Sequence, residues 1–385
     1  MTSCIEYNDW QLRQFTLDGQ IQYEAIAAGS TASGALGFGE LAWSQARTQP
    51  QQFNSRFLTS LNAEPIKGTM SPAKNQADLV YHQLTALPAD EAPRLVAVPG
   101  YLTDEQLGLL LGIAQQAGIQ IGGFIDLALA QAVAEGVDHS CLVLDVELHR
   151  LVLTQIQRQD NQLVIQQCDN VEGAGVAQIL DGWINLIADI FVHQTRFDPM
   201  HTGACEQQLQ DQLTGWIKQG RLHNRIAVDH NDVVREIDLQ ANAVHDKLAQ
   251  RIDVLSRYLP SGEQPLLVTK RAQAIPGLLD YLQQRGLTCH QALAETAAIG
   301  VAALAKAIPA DDIVRITSTT VRDGAIPAQN GSAPSVPVAH ATHLLYGNTA
   351  YIISDARFSG LDTATLQPGQ TIDVQGLTYV AIEVR

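Results

Sequence analysis

Residues 94–136 read RLVAVPGYLTDEQLGLLLGIAQQAGIQIGGFIDLALAQAVAEG. Arg94 to Pro99 is a short apolar run closed by Pro-Gly, the pattern of a buried strand. Thr103-Asp-Glu-Gln106 then forms a capping box, in which the Thr hydroxyl and the Gln side chain satisfy each other's free backbone donors at a helix start. Leu107, Leu110, Leu111 and Ala114 recur at three- and four-residue spacing, so a helix running to Gly118 turns one apolar stripe toward a sheet. A second helical stretch, Ile125 to Ala134, closes this half of the chain.

Upstream, the first thirty residues alternate. CIEYND, QLRQFTLDG and QIQYEAIAAG are period-two segments parted by polar or Gly-containing turns, which predicts three strands in a meander. After a Gly-rich bend from Gly29 to Gly39, helical spacing covers residues near 40–62 and 72–87, with Gly68 and Pro72 between them. Downstream the order recurs. SCLVLDVEL, RLVLTQIQ and QLVIQQCD are three more alternating segments, with the turn Arg158-Gln-Asp-Asn161 between the last two. Helices near 174–195 and 205–219, strands near 222–239, a helix near 240–257, the buried strand Pro265-Leu-Leu-Val268 and two helices ending near Ala307 follow. Two successive units of three antiparallel strands, then helix, strand and helix, predict a duplicated α/β chain with segments inserted in both halves.

Residues 324–338, GAIPAQNGSAPSVPV, hold three prolines, two glycines and no aromatic residue, which is linker chemistry. The last 47 residues are strand-like: YGNTAYIIS, the turn Gln367-Pro-Gly-Gln370, TIDVQG and LTYVAIEVR. The expected organisation is therefore a first lobe over 1–138, a second over 139–311, a linker over 312–338 and a small all-β module over 339–385. A first strand for that module is available at Asp312 to Val321.

Composition narrows the function classes. The 24 basic against 40 acidic residues, net charge −16, argue against a nucleic-acid surface, which needs clustered Lys and Arg. MTSCIEYNDWQLRQ lacks a basic region followed by an apolar stretch, and no segment is apolar without interruption for about eighteen residues, so a cytoplasmic protein without membrane contact is expected. Cys4, Cys141, Cys168, Cys205 and Cys289 are scattered and odd in number, as befits buried reduced thiols.

Residues 94–136 also resemble, in unbroken register, the part of the heat-shock 70 chaperones in which a strand ending Val-Pro-Ala-Tyr-Phe leads into a helix and then Asn-Glu-Pro-Thr-Ala-Ala-Ala. GELAWSQARTQPQQFNSRFLTSL, from Gly39, resembles the same family's Gly-x-x-Ala segment, Asn-Pro and Lys-Arg-Leu-Ile-Gly run. LLVTKRAQAIPGLLDYLQQRGL and ALAETAAIGVAALAKAI are similar to its Gly-Gly-Ser-Thr-Arg-Ile-Pro adenosine motif and Ala-x-Gly-Ala-Ala helix, with Pro276 and Gly300 in step. The likeness runs through most of the chain before the linker. It implies the actin-like ATPase (ribonuclease H-like) fold, two lobes with ATP and Mg between two β-hairpins.

Those hairpins have Gly- and Thr-rich turns in the family, because backbone donors must come close to phosphates and a Cβ would obstruct them. The family's Asp-Leu-Gly-Thr-Thr-Asn-Ser falls here on Glu6-Tyr7-Asn8-Asp9-Trp10-Gln11-Leu12, and its Asp-Leu-Gly-Gly-Gly-Thr on Asp145-Val146-Glu147-Leu148-His149-Arg150. Its catalytic Lys falls on Ser55, beside Arg56. Its Asn-Glu-Pro-Thr Glu falls on Leu127, next to Asp126, and its adenosine turn on Val268-Thr269-Lys270-Arg271. The glycines are gone, and Asp9 and Glu147 bring negative charge where a phosphate would sit. Positioning and charge stabilisation supply nearly all the rate in phosphoryl transfer, so hydrolysis should be lost. The expectation is a chaperone-like pseudo-ATPase, a scaffold for a protein partner without cofactor, metal or catalytic residues. Its degenerate cleft would be lined by Asn8, Asp9, Trp10, Arg56, Asp145, Glu147, His149, Thr269, Lys270, Arg271 and Gly300. The alternative is an ATP- or ADP-binding chaperone-like ATPase with Mg, using a rearranged site around Asp145, Arg56 and Lys270.

Overall fold

The alternation of the first thirty residues becomes an antiparallel meander of Ser3–Glu6, Leu12–Thr16 and Ile21–Ala25. On the other side of Ser3–Glu6, Arg94–Val98 and then Ile121–Asp126 add in parallel. The second half repeats this pattern. Cys141–Val146, Arg150–Gln159 and Gln162–Glu172 form the meander, and Leu266–Val268 followed by Cys289–Gln291 add in parallel beside Cys141–Val146. The two sheets therefore share one strand order, with three antiparallel strands on one side of the sheet and two parallel ones on the other. Strands buried on both faces read as near-continuous apolar runs, which is why RLVAV and CLVLDV stand out in the sequence.

The computed structural model describes residues 3–66, 68–259, 264–309, 312–321, 343–346, 349–352, 371–374 and 377–382. They belong to two units, Met1–Asp323 and Gly324–Arg385. Within the first, Arg315–Ile316 edges the first sheet, parallel to Ile121–Asp126, and Ser318–Thr320 edges the second, antiparallel to Gln162–Glu172. The strand predicted at Asp312 to Val321 is thus real but completes the two large sheets instead of opening the C-terminal module. The second unit holds an antiparallel sheet in the order Thr349–Ile352, His343–Tyr346, Leu377–Ile382, Thr371–Val374. The predicted linker core, 324–338, lies outside the described residues.

Helices cover the sheets. Asp104–Gln116 starts at the expected capping box and stops before Gly118, whose φ of 76° only Gly adopts without cost. Leu107, Leu110, Ile113 and Ala114 are its buried side; Leu111 is only partly covered. Val176–Thr195 is long and apolar enough by composition to span a bilayer, yet Trp183, Ile187 and Phe191 are fully buried and make it a core helix of the second half.

Two sequence expectations change, and one strand has no counterpart among them. The helix at 40–62 is broken into Glu40–Trp43, a 3-10 turn Pro50–Gln52, strand Phe53–Asn54 and Phe57–Ser60. Pro50 has no N–H to continue a helix and forces Gln49 out of helical geometry, with φ −135° and ψ 59°. The helix predicted from Ile125 starts at Leu127, because Ile121–Asp126 is a strand whose Gly122-Gly123 erase the alternation; a Cβ on Gly123 would come within 2.8 Å of Ile308 Cδ1. Cys289–Gln291, a strand of three residues, is too short to show a period.

Candidate functional site

The first strand of each half ends at the seam between the two sheets, and there the two hairpin turns bond to each other. Asn8 builds the first turn: its Oδ1 accepts from Trp10 N–H at 2.9 Å and Gln11 N–H at 3.1 Å. Its Nδ2 donates across the seam to Val146 O at 2.9 Å. Asp9 crosses as well, accepting at Oδ1 from Leu148 N–H at 2.5 Å, while Oδ2 accepts from Thr59 Oγ1. The second turn is fixed from behind. Glu147 N–H donates to Arg150 O, and the first N–H groups of helix Val176–Thr195 bond Glu147 O and Leu148 O. Asn8, Asp9, Trp10, Glu147 and His149 are all buried.

Beneath the turns lies an ion cluster. Arg271, on the short helix Lys270–Gln273, places Nη2 2.6 Å and Nε 3.2 Å from the Asp145 carboxylate and Nη1 on Glu6. Glu6 ends the first strand of the first half, and Asp145 lies on the equivalent strand of the second. Thr269 caps the helix, accepting from Ala272 N–H, and donates to Asp145 at 2.6 Å. Burial would raise the Asp145 carboxyl, but the Arg271 guanidinium and the Thr269 and Val146 donors hold it below its ordinary value. Burial likewise opposes the Arg271 charge, and Asp145 and Glu6 more than compensate, keeping it fully ionised.

Glu147 is different. Tyr101 Oη donates to both its oxygens, at 2.9 and 2.7 Å, and Arg150 Nε stands 3.5 Å away while its guanidinium lies over the Tyr101 ring. Burial first, and the Asp9 charge second, push the Glu147 carboxyl well above the usual range. His149 Nε2 is 3.1 Å from Ser55 Oγ and 3.0 Å from Ser55 O, and burial lowers its pKa.

A cleft of about 310 Å³ opens on one side of the cluster, lined by Trp10, Gln11, Arg13, Lys218, Lys270, Arg271 and Glu295 among others. Its charges are mostly spoken for: Arg13 pairs with Glu24, and Lys218 with Glu40 at 2.6 Å. Further ties span the seam. Trp43 stacks edge-on against Trp10 and donates to Thr214 Oγ1 at 3.0 Å, and Arg47 binds Asp181, Glu206 and Gln210.

Of the residues expected at the cleft, Asn8, Asp9, Trp10, Asp145, Glu147, His149, Thr269, Lys270 and Arg271 do gather at the seam. Two do not join them. Arg56 is exposed and makes no side-chain hydrogen bond or ion pair among the described residues, although its charge is felt at His149. Gly300 serves packing instead: a Cβ on it would lie 1.8 Å from Ala130 O, so it permits a close helix crossing. Glu6, Thr59 and Tyr101 also meet at the seam without standing among the expected cleft residues. A carboxylate inside the apolar strand of CIEYND was the available signal for Glu6; nothing local marks Thr59 or Tyr101.

The residues do not fit a Mg-nucleotide. The N–H groups of Asn8, Trp10, Gln11, Glu147 and Leu148 all have partners within the protein, so these donors are already taken and not free to cradle a phosphate. The space between the Glu6 and Asp145 carboxylates is already filled by a cation, the Arg271 guanidinium. No family model matches the chain, and no curated protein matches it.

Proposed function

We propose that this chain is a two-lobed scaffold of the actin-like, heat-shock-70-related kind that engages a protein partner and does not hydrolyse ATP. Its shared strand order in two sheets supports the duplicated fold. One observation carries the functional reading: the two hairpin turns that face a nucleotide in that fold are bonded to one another, Asn8 to Val146 and Asp9 to Leu148. A phosphate would have to break both contacts and sit beside the Asp9 carboxylate, while the cations lining the cleft are mostly engaged by other carboxylates.

Thermal unfolding with and without millimolar Mg-ATP and Mg-ADP tests this. Ligand at a hundred times its dissociation constant stabilises a protein by about 2.7 kcal/mol, so binding would be visible. An unmoved midpoint is expected. A rise of several degrees would sink the reading and favour an ATP-binding chaperone-like protein, with hydrolysis as the next assay. The scaffold role itself requires a partner: recovery of a stoichiometric complex with the full chain is the expected result.

A further inference from the structure

The geometry points to Arg271 as a built-in cation: by binding Glu6 of one half and Asp145 of the other, its guanidinium holds the two halves closed, so that closure needs no ligand. The inference rests on the non-hydrolysing reading and deepens it, giving the means by which such a cleft stays shut.

Four observations carry it. Glu6 and Asp145 occupy the equivalent first strands of the two sheets, and Arg271 bonds both while being almost wholly buried itself. Its fork is used fully, with Nε and Nη2 on Asp145 and Nη1 on Glu6, a planar geometry that a Lys ammonium cannot reproduce. The groups around it are hard oxygens, namely the two carboxylates and Thr269 Oγ1, the donor set that suits a divalent cation as well as a guanidinium. Finally, one guanidinium faces two carboxylates, and the balance is visible: Glu6 Oε2 is buried without a hydrogen-bond partner, beside a cavity of about 20 Å³ that Gln131 and Lys270 also line. Removing the guanidinium would join its volume to that cavity and leave a vacant site bounded by two carboxyl groups.

The test is cation rescue of Arg271→Ala in the full chain. Trp10 and Trp43, two of the four tryptophans, lie buried at the seam and report closure by acrylamide quenching, while Trp183 and Trp216 pack in the second half. Without divalent cations, quenching should rise and the unfolding midpoint fall by several degrees. Millimolar guanidinium chloride or magnesium chloride should restore both, and sodium chloride of equal ionic strength should not. Arg271→Lys, which keeps charge without the fork, should close only in part. A triple variant with Glu6→Gln and Asp145→Asn added should ignore both cations, which controls for general salt effects on the fold. The proposal is overturned if Arg271→Ala is as closed and stable as the parent without cations, or if it stays open or unfolded in every buffer. No nucleotide enters these samples, so a positive Mg-ATP shift in the parent would remove the non-hydrolysing reading and leave this outcome to stand or fall separately.

Discussion

Asp145 and Glu147 stand two residues apart, yet their surroundings push them in opposite directions, and that sets two opposite pH dependences. Asp145 is held below its ordinary 3.8, so the stability it contributes is present above that value and lost as pH falls through the lower folded one. Glu147 is raised above its ordinary 4.5, so its contribution is present below that value and lost as pH rises through the folded one. Chemical unfolding followed upward from about pH 4 should therefore show a declining limb that begins above 4.5, with a slope approaching about 1.4 kcal/mol per pH unit. Glu147→Gln should abolish that limb; an unchanged profile would refute the assignment. Asp9→Asn, by removing the second cause of the shift, should end the decline at lower pH. Asp9→Ala should cost about 1–3 kcal/mol besides, since the buried Leu148 N–H loses its acceptor. That Asp9 and Glu147 place carboxyl groups in the two turns is legible in the sequence. Their actual partners are not: Leu148 lies 139 positions from Asp9, and Arg271 lies 265 from Glu6. Only the fold brings such groups together.

At the scale of elements, what sequence conveys depends on how many residues share a period. The strands of both meanders and the capped helix Asp104–Gln116 repeat their pattern often enough to be read. Gly122-Gly123 and the three residues Cys289–Gln291 carry no period, and so two parallel strands escape notice. Gly300 was placed in step with a nucleotide-family glycine, whereas here it serves the crossing of Ala298–Leu304 over Leu127–Ala134. Gly300→Ala should cost about 1–3 kcal/mol or more, because the new Cβ meets backbone that cannot swing aside, and the loss should appear as a lower unfolding midpoint. A different device guards the hairpin Arg225–His230 and Val233–Asp238. Gln208 and Gln212 of helix Gly203–Gln219 bond the outward N–H and C=O of Asp229 and Ala227, at 2.8 to 3.5 Å, like a missing strand. Gln208→Ala with Gln212→Ala should leave the global midpoint nearly unchanged, since water can take over at this half-exposed edge. Amide exchange at Ala227 and Asp229 should nonetheless quicken, and protection equal to the parent would show that the glutamines do not cap the edge.

For the first unit as a whole, the decisive segment is the short one that edges both sheets. Residues 315–320 pass from the first sheet to the second, and Phe124 N–H, Ile165 N–H and Val321 N–H bond carbonyls of Val314, Thr317 and Asn161 along the way. Arg315 anchors the passage: its guanidinium donates to Leu102 O at 2.9 Å, Pro99 O at 3.1 Å and the fully buried Asp126 carboxylate at 3.0 Å. Burial raises the Asp126 carboxyl and Arg315 only partly offsets it. Arg315→Ala should thus strand a buried charge at a cost of about 3–5 kcal/mol. The remaining carboxyl would rise further, so the deficit should widen as pH climbs above its ordinary 3.8, and Asp126→Asn in the same chain should recover most of it. If one segment ties both sheets, amides on either side of it must loosen together. Exchange at Phe124 and Ile165 is expected to quicken in parallel in Arg315→Ala, whereas faster exchange at Phe124 alone would mean that the two edge strands hold their sheets independently.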